Sequence, residues 1–436
     1  MIIIDTALKQ RAEEGNPLKV ALVGAGAMGR GVANQIINST PGIELAVVAS
    51  RTLASARRAY REHGVETYEE VTSLKAMNDC LARGVPVVTE DAFLVCEADG
   101  IDVILEMVGL VEFGARFALK AFEGGKDLVT MNAEMDATIG LELRRRAERA
   151  GVIYTLSDGD QPGVLKNLWR RVKFLGLDPL VCGNIKGLQD CRRNPTTQEG
   201  FAKQWKQGVH MVTSFADGSK ISFEQACVAN ATGMCVEMRG MRGGDFEGHV
   251  DELAHVGRYD IGRLRELGGV VDYVIKAKPS PGVFVMATHD DPKQQHGLNL
   301  YKLGPGPLYC FYEPYHLCYF DVPLSAARVV LFRDTVIAAE SWKVDVITLA
   351  KTELKKGTVI DTIGGYHTYG TCENHGIVAD QRLLPMGLAE GCRLKRDIAC
   401  DGTITYDDVE LPEGRVSDQL RAAMLGALPP GRRNLC

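Results

Sequence analysis

The sequence has no long apolar run and no excess of basic residues. No stretch approaches the roughly 20 apolar residues that a membrane-spanning helix needs. The formal net charge is -6 at pH 7, and a chain without a basic excess is not expected to bind nucleic acid or a membrane surface. The opening residues Met1–Asp5 lack a basic start and a long apolar core, so no secretory signal is expected there. We therefore expect a cytoplasmic protein that acts on a small molecule.

Paired cysteines are also absent. The 12 cysteines are scattered, and none forms a C-x-x-C pair. That spacing is the usual signature of a zinc site, so no such site is predicted, and reduced thiols in a cytosolic protein are the simpler interpretation. The composition, 45% hydrophobic and 24% charged, is ordinary for a soluble globular enzyme. The length of 436 residues indicates two or three domains.

The clearest positive signal is a glycine turn near the amino end. The apolar run Val20–Val23 is typical of a strand buried in a parallel sheet, and Gly24, Gly26 and Gly29 follow it in a G-x-G-x-x-G register. In that register the first glycine permits the turn, the second lets the backbone approach a pyrophosphate, and the third lets the next helix pack closely. The amides that begin this helix would face the phosphates. The cofactor contacts expected at the turn are Gly24, Gly26, Ala27, Met28 and Gly29.

The end of the second predicted strand, Glu44–Ser50, indicates which dinucleotide is preferred. An acidic residue at this point binds the ribose 2′-hydroxyl of NAD. This chain has Ser50, Arg51 and Thr52 instead. Because a guanidinium and hydroxyl groups suit a 2′-phosphate, we expect NADP, used as NADPH. The alternative is that Arg51 only faces solvent near the next helix.

Strands and helices alternate up to residue 160, which indicates an α/β domain with a doubly wound parallel sheet of the Rossmann type. Ligands bind at the carboxyl ends of the strands in such a sheet. The further cofactor contacts expected there are Val108, Gly109 and Asn132. The acidic residues predicted to be catalytic at the same edge are Glu134, Asp158 and Asp160. Turn formation is the alternative for the two aspartates. Carboxylates suit Mg²⁺ or Mn²⁺, so a divalent cation is a further candidate cofactor, although no metal ligands are assigned.

Two lysines in the middle of the chain complete the predicted catalytic residues. Lys186 follows an apolar strand and lies between Gly183 and Gly187. It could protonate or orient a substrate oxygen during hydride transfer. Lys220 precedes a predicted helix and could hold an anionic group of the substrate. For both lysines, a solvated position is the alternative.

The central region has further candidates with more than one interpretation. Asn230 and Thr232 could line the substrate pocket or cap a helix. His316 could act as an acid or base, but a lone histidine among aromatic residues is more often structural. The strand-like stretches 270–275 and 282–287 suit a mixed α+β domain, whose sheet could also form subunit contacts. We therefore expect a homo-oligomer.

Two stretches resemble known domains. Asp102–Gly109, followed by Leu128–Asn132, resembles the nucleotide-binding domain of homoserine dehydrogenases, although Ala133 stands where that family has a lysine. After about residue 338, short strands broken by glycine turns indicate a small β-rich module. Its phrase A-K-x-x-L-K-x-G-x-x-I-D-x-I-G-G-Y, over 350–366, resembles the SAF domain, an antifreeze-like module.

Over nearly its whole length the chain resembles the deoxyxylulose-phosphate reductoisomerase-like enzymes. The stretches that carry this resemblance are Gly24–Gly29, Met131–Glu134, Asp158–Pro162, Ala229–Gly233, Pro314–Leu317 and Gly364–Tyr366. It implies a nucleotide-binding domain over 1–160, a central catalytic and oligomerisation domain over 161–337, and a SAF-like domain over 338–436.

The resemblance also implies a reaction. The enzyme would rearrange the carbon skeleton of a small polyhydroxylated ketose phosphate and reduce the resulting aldehyde with NADPH. The chain lacks the paired acidic metal-site motif of the ordinary reductoisomerase, so the catalytic residues named above rest on their position alone. A simple dehydrogenase of a hydroxy acid or sugar acid, and a non-catalytic dinucleotide sensor, are the alternatives.

Overall fold

The computed structural model describes residues 2–426. The helices of this part of the chain are α1 (Ile2–Glu13), α2 (Ala27–Ser39), α3 (Leu53–Arg61), α4 (Leu74–Ala82), α5 (Leu94–Glu97), α6 (Val111–Glu123), α7 (Ala133–Ala150), α8 (Gln161–Phe174), α9 (Pro195–Trp205), α10 (Val209–Asp217), α11 (Ser219–Thr232), α12 (Ile261–Leu267), α13 (Pro292–Leu300), α14 (Cys318–Phe332), α15 (His375–Asp380) and α16 (Val416–Gly426). The strands are β1 (Leu18–Val23), β2 (Ile43–Ala49), β3 (Glu69–Glu70), β4 (Val87–Thr89), β5 (Val103–Glu106), β6 (Asp127–Thr130), β7 (Tyr154–Leu156), β8 (Asp178–Lys186), β9 (Val270–Ile275), β10 (Gly282–Thr288), β11 (Leu308–Glu313), β12 (Val344–Ala350), β13 (Thr368–Asn374), β14 (Arg393–Leu394) and β15 (Val409–Glu410).

The chain divides into two compact units. The first runs to Asp160 and also contains Leu317–Ala338, while the second contains Gln161–His316 and the chain from Ala339 onward. Helix α14, which the sequence analysis assigned to a central domain, therefore groups with the nucleotide-binding unit. Its Tyr319 ring lies against Gly31 of α2, where a Cβ would come within 2.5 Å of ring atom Cγ. Glycine at position 31 thus allows the two helices to pack closely.

The first unit is built on a seven-stranded sheet in the order β3-β4-β2-β1-β5-β6-β7, with every neighbouring pair parallel. From central β1 the chain passes to β2 on one side and later to β5 on the other, which makes a topological switch point. Val23 is in register with both Ala49 and Glu106, so the three carboxyl ends lie side by side. The predicted doubly wound parallel sheet is confirmed.

The core of this unit explains why these segments form strands and helices. Leu18, Val20 and Leu22 of β1 are completely buried and belong to one apolar cluster with Val32 and Ile36 of α2. The near-continuous apolar sequence of β1 suits a central parallel strand that is covered on both faces. The spacing of Val32 and Ile36 places both side chains on one face of the helix.

The second unit is α+β, as predicted for the central region. Its four-stranded sheet has the order β11-β10-β8-β9, in which β8 is antiparallel to β10 and parallel to β9. The segment Val181–Ile185 is buried in β8, and the strand ends at Lys186. Beyond Ala339 the seven-residue strands β12 and β13 form one antiparallel pair, and the two-residue strands β14 and β15 form another. Within residues 2–426, none of the helices combines the length and apolar composition that a membrane span requires.

A buried ion pair holds the helices of the second unit against β12. Lys351, 1% exposed, donates from Nζ to Asp217 Oδ2 at 2.9 Å and to the backbone oxygens of Arg193 and Gly365, each at 2.8 Å. The other carboxylate oxygen of Asp217 accepts from the backbone nitrogen of Ser219 at 2.8 Å. One ammonium group therefore fixes the segment before α9 and the junction between α10 and α11.

We expect Lys351→Met to destabilise the protein strongly, because it leaves the buried carboxylate of Asp217 without a counter-charge. Breaking a buried pair in this way costs about 3–5 kcal/mol. The quantity to measure is the free energy of unfolding in urea. Lys355→Met is the matched control, since Lys355 is 65% exposed and pairs with Glu353 and Asp397 at the surface. Equal losses for the two variants would contradict a stabilising role for the buried pair.

Candidate functional site

The first unit has a cavity of about 940 Å³ at the carboxyl ends of β1, β2 and β5. A cavity of this size is within the range of cofactor sites. The predicted cofactor contacts that line it are Gly24, Gly26, Ser50, Arg51, Thr52, Val108 and Gly109. Ala27, Met28 and Gly29 form the first turn of α2 beside this wall. The cavity therefore lies at the switch point of the sheet, where a parallel topology is expected to place a ligand site.

The geometry of the turn requires glycine at two positions. Gly24 has a φ of +98°, and a Cβ there would come within 2.9 Å of Val108 Cγ2. A Cβ at Gly29 would lie 1.9 Å from the backbone oxygen of Gly24, so any side chain would force α2 away from the turn. At Gly26, a Cβ would meet no atom within 4 Å. The space beside Gly26 and the amides that begin α2 fit a pyrophosphate group.

Two arginines follow β2, and they differ in whether a carboxylate pairs with them. Thr52 caps α3, since its side chain accepts from the backbone nitrogen of Ser55 at 3.3 Å. Arg57 of the same helix forms a bidentate pair with Glu70, at 2.7 and 2.6 Å. Arg51 lines the cavity and makes no ion pair with a carboxylate within residues 2–426. The arrangement leaves Arg51 available to an anionic group in the cavity.

Asn132 supports the cavity wall from behind. The side chain is completely buried, and Nδ2 donates to the backbone oxygen of Val108 at 2.8 Å. Its Oδ1 accepts from the backbone nitrogen of Met135 at 2.9 Å and so caps α7. Both ends of the amide are therefore used within the protein. The structure places Asn132 where it positions the Val108–Leu110 segment, rather than on the wall itself.

Glu106, which the sequence analysis did not single out, belongs to the same support. Its Oε1 accepts from the backbone nitrogen of Val108 at 2.7 Å, and its Oε2 accepts from the hydroxyl of Thr130. Burial raises the pKa of Glu106 to about 8, the two hydrogen bonds act in the opposite direction, and the charge of Glu134 adds to the increase. No sequence signal distinguishes this residue, since an acidic residue at a strand end is common.

The predicted acidic residues are in the first unit, but they do not form a free carboxylate cluster. Asp158 is 3% exposed and pairs with Arg328, whose Nη1 lies 2.8 Å from Oδ2. Arg328 also pairs with Asp334 at 2.6 Å. Glu134 lies in the buried first turn of α7, and Asp160 accepts a weak hydrogen bond from the thiol of Cys318 at 3.7 Å.

These contacts bear on the divalent cation considered from the sequence. A cation needs carboxylate oxygens that no other positive charge already neutralises. Arg328 already occupies one oxygen of Asp158 in a buried pair, and it shares its charge with Asp334. Asp158 is therefore a poor ligand for a cation, and the divalent cation remains a prediction from the sequence.

Both predicted lysines line a second cavity, of about 510 Å³, which lies wholly within the second unit. Lys186 reaches it from the end of β8, and Lys220 from the first turn of α11. Lys186 Nζ donates to the backbone oxygen of Phe215 at 2.8 Å. Burial lowers the pKa of Lys186 to about 8, while the charges of Glu224 and Asp217 act in the opposite direction. This lowered pKa is in the direction that suits a general acid at neutral pH.

The sequence analysis missed two further residues that line this cavity, Glu224 and Gln198. Glu224 lies one helical turn after Lys220, with Oε1 4.0 Å from Nζ, and each of the two is 7% exposed. The spacing Lys220-x-x-x-Glu224 was a signal that both side chains share one helix face. No comparable signal marked Gln198.

The structure also shows where the residues lie for which the sequence allowed two interpretations. Asn230 holds the chain before β12, because its Oδ1 accepts from the backbone nitrogens of Lys343 and Val344 at 2.8 and 3.0 Å. Thr232 donates to the backbone oxygen of Val228 at 2.7 Å within α11. Both are thus structural. His316, for which a structural role was favoured, lines the cavity with the two lysines.

Two family models match the chain. Residues 24–156 match the model described as the NAD-binding domain of homoserine dehydrogenase. Residues 159–322 match the model described as the catalytic domain of oxidoreductase DRL. The first match covers the cavity with the glycine turn, and the second covers the cavity with the two lysines. The chain therefore has a nicotinamide-dinucleotide-binding domain and the domain make-up of an NAD(P)-dependent oxidoreductase.

The curated proteins similar to this chain include homoserine dehydrogenases. A homoserine dehydrogenase of Pseudomonas aeruginosa is 31% identical over 137 residues, which are 31% of this chain and 28% of that protein. A homoserine dehydrogenase of Mycobacterium tuberculosis is 30% identical over 212 residues, or 48% of this chain and 42% of that protein. The chain thus spans less than half the length of these curated relatives. Among solved structures, a probable dehydrogenase from Thermotoga maritima has a TM-score of 0.37 at 12% identity, covering 73% of this chain and 90% of that chain.

Proposed function

We propose that the protein is an NADPH-dependent, reductoisomerase-like oxidoreductase that acts on a small polyhydroxylated carbonyl compound carrying an anionic group such as phosphate. One observation carries this proposal. Lys186 and Lys220 line a single cavity inside the region that matches an oxidoreductase catalytic domain. Two lysines face a single carboxylate, Glu224, in this cavity, and the excess of positive charge attracts an anionic substrate.

The two lysines of the cavity are suited to different roles in the reaction. When bound, the reduced dinucleotide supplies the hydride to the carbonyl carbon. The carbonyl oxygen then needs a proton, and the Lys186 ammonium is a donor whose pKa of about 8 suits transfer at neutral pH. Lys220 lies 4.0 Å from Glu224, so it would bind an anionic group of the substrate in competition with that carboxylate.

The preference for NADPH rests on the residues after β2. Arg51, Ser50 and Thr52 line the cavity, and Arg51 has no carboxylate partner among the residues described. Glu90 lines the same cavity, where its Oε1 accepts from the backbone nitrogen of Leu53 at 3.0 Å. This carboxylate would weaken the attraction of a 2′-phosphate, and Arg51 would offset it.

A second candidate is a simple dehydrogenase of a hydroxy acid or sugar acid. The curated relatives reported above favour it, since they are homoserine dehydrogenases. The third alternative, a dinucleotide sensor without catalysis, is favoured only by Ala133 at the position of the family lysine. The SAF-like character of residues 338–436, the homo-oligomeric state and the cytoplasmic location remain predictions from the sequence.

The substrate proposal is tested by following NADPH oxidation with a panel of ketose phosphates and 2-oxo acids. We expect turnover with a ketose phosphate and a product whose carbon skeleton, determined by NMR, differs from that of the substrate. Reduction without a change of skeleton would favour the dehydrogenase. Tight binding of NADPH with no turnover on the whole panel would favour the sensor.

We expect Arg51→Ala to raise the dissociation constant of NADPH by about 10- to 100-fold, the value of a charge-assisted hydrogen-bond pair. The dissociation constant of NADH should change much less, because NADH lacks the 2′-phosphate. Fluorescence titration of both cofactors measures the difference. Arg57→Ala is the matched control, because that guanidinium pairs with Glu70. Parallel losses for NADPH and NADH would remove Arg51 from the 2′-phosphate site.

We expect Lys186→Ala to lower kcat by about 10²- to 10⁴-fold, the usual contribution of a general acid, while NADPH affinity stays unchanged. In the wild type, kcat should fall as the pH rises above about 8, because the ammonium form is lost. Steady-state rates across this pH range measure both effects. Lys203→Ala is the control, since Lys203 is 75% exposed on α9. Wild-type turnover in the Lys186 variant would exclude the proton-donor role.

A further inference from the structure

Arg30 follows Gly29 directly in the sequence, and its side chain lines the cavity of about 940 Å³ in the first unit. Its Nη1 donates to the backbone oxygen of Ala25 at 3.0 Å. Ala25 belongs to the glycine turn and lines the same cavity. The hydrogen bond therefore holds the guanidinium against the part of the wall that the turn forms, which is where the pyrophosphate of a dinucleotide is expected.

The guanidinium of Arg30 keeps donors that the chain does not use. An arginine side chain carries N–H groups on all three of its nitrogens. Nη1 bonds to Ala25, and Nε lies 3.2 Å from Glu62 Oε2 in an ion pair. Within residues 2–426, Nη2 makes no hydrogen bond, and the side chain is 23% exposed. Nη2 is thus available to an anionic oxygen of a ligand, and a planar guanidinium suits phosphate oxygens.

Glu62 neutralises Arg30 only in part. Arg58 donates to Glu62 Oε1 from Nε at 2.9 Å and from Nη2 at 2.7 Å. The hydrogen bonding of Arg58 holds the pKa of Glu62 below its ordinary value, and the charge of Arg30 adds to the decrease. One carboxylate therefore faces two guanidinium groups, so a net positive charge remains beside the glycine turn.

The start of α2 offers further donors at the same place. Its N-cap residue is Gly26, which has no side chain to cap the helix, and the first turn contains no acidic residue. The backbone nitrogen of Arg30 donates to the oxygen of Gly26 at 3.0 Å, while the amides that precede it at the start of a helix lack such a partner. Anions are favoured at this end of a helix. The guanidinium and the helix amides can therefore contact one anionic group together.

The charges on the cavity wall leave Arg30 as the cation for that group. The charged residues that line the cavity are Arg30, Arg51, Glu90 and Asp91. Arg51 lies after β2, at the position proposed for the 2′-phosphate, and is separated in the chain from the glycine turn. Without Arg30, the two carboxylates would outnumber the remaining guanidinium and would repel the pyrophosphate.

We propose that Arg30 binds the pyrophosphate of the dinucleotide. Its Nη2 donates to a phosphate oxygen, while Nη1 keeps its hydrogen bond to Ala25. Arg30 then contributes equally to the binding of NADH and NADPH, since both carry the pyrophosphate, whereas Arg51 contributes to NADPH alone. This inference rests on the dinucleotide binding within the proposed function, and it is independent of the substrate and of which dinucleotide is preferred.

The first test uses Arg30→Ala. We expect the dissociation constants of NADH, NADPH and ADP-ribose each to rise by about 10- to 100-fold, the value of charge-assisted hydrogen bonding. ADP-ribose carries the pyrophosphate without a nicotinamide or a 2′-phosphate, so its loss of affinity locates the contact. Fluorescence titration measures both cofactors, and displacement of NADH measures ADP-ribose. Arg30→Lys keeps the charge but not the planar fork, so the rise should be smaller. It also serves as the test if Arg30→Ala does not fold.

Arg58→Ala is the matched control. Arg58 shares Glu62 with Arg30 but does not line the cavity, so the three dissociation constants should stay at their wild-type values. Glu62→Gln tests the alternative that Arg30 only braces α2 against α3 through the ion pair. This variant removes the pair and leaves the guanidinium in place, so the dissociation constants should not rise.

Several outcomes would overturn the inference. A rise for NADPH alone in Arg30→Ala would place Arg30 at the 2′-phosphate, and an equal rise in Glu62→Gln would make its role structural. Wild-type affinity of Arg30→Ala for ADP-ribose, or no saturable binding of either cofactor to the wild type, would also contradict it. Failure of the proposed function gives a different result. The dinucleotides would then bind with the expected pattern, but no ketose phosphate would be turned over.

Discussion

The second unit depends on one buried ammonium group. Lys351 holds Asp217 and the backbone oxygens of Arg193 and Gly365, and these acceptors come from three separate parts of the chain. Asp217 in turn caps the start of α11, the helix that carries Lys220 and Glu224 into the cavity. Removing a lysine from water is costly unless each of its protons finds an acceptor. The three acceptors meet that requirement, and they connect the chain after β12 to the segment before α9 and to the end of α10.

In the first unit, two buried side chains hold the loop after β5 beside the cavity. The loop after β5 must remain close to the glycine turn, because Gly24 leaves no room for a side chain beside Val108. Asn132 and Glu106 hold the two sides of that loop through the backbone oxygen and nitrogen of Val108. Glu106 is completely buried, and its raised pKa is the consequence of that position. A raised pKa favours the neutral form of a carboxyl group, which costs less to bury than the charged form.

The sequence predicted the features that depend on neighbouring residues. The strand before Gly24, the turn, the alternation of strands and helices, and Lys186 at the end of a strand all follow from local patterns. The sequence did not predict the pairings between residues that are far apart in the chain. Asp158 pairs with Arg328, 170 residues away, and Lys351 pairs with Asp217, 134 residues away. Neither pairing has a periodicity or motif that a reader of the sequence could detect. Gln198 was missed for the same reason, since nothing in its surroundings distinguishes a cavity-lining glutamine from a solvated one.

In the second unit, the residues that line the cavity include polar groups that the fold itself does not fully satisfy. Gln198 keeps an unused donor, and Lys186 is held where burial lowers its pKa. Both conditions cost stability in the free protein, and such costs concentrate at functional sites because a ligand relieves them. The surrounding scaffold must offset them, and the buried hydrogen bonds of Lys351 and Asp217 stabilise the same unit. A strongly satisfied buried pair beside poorly satisfied cavity residues is the arrangement expected of a rigid site that gains its remaining interactions from its substrate.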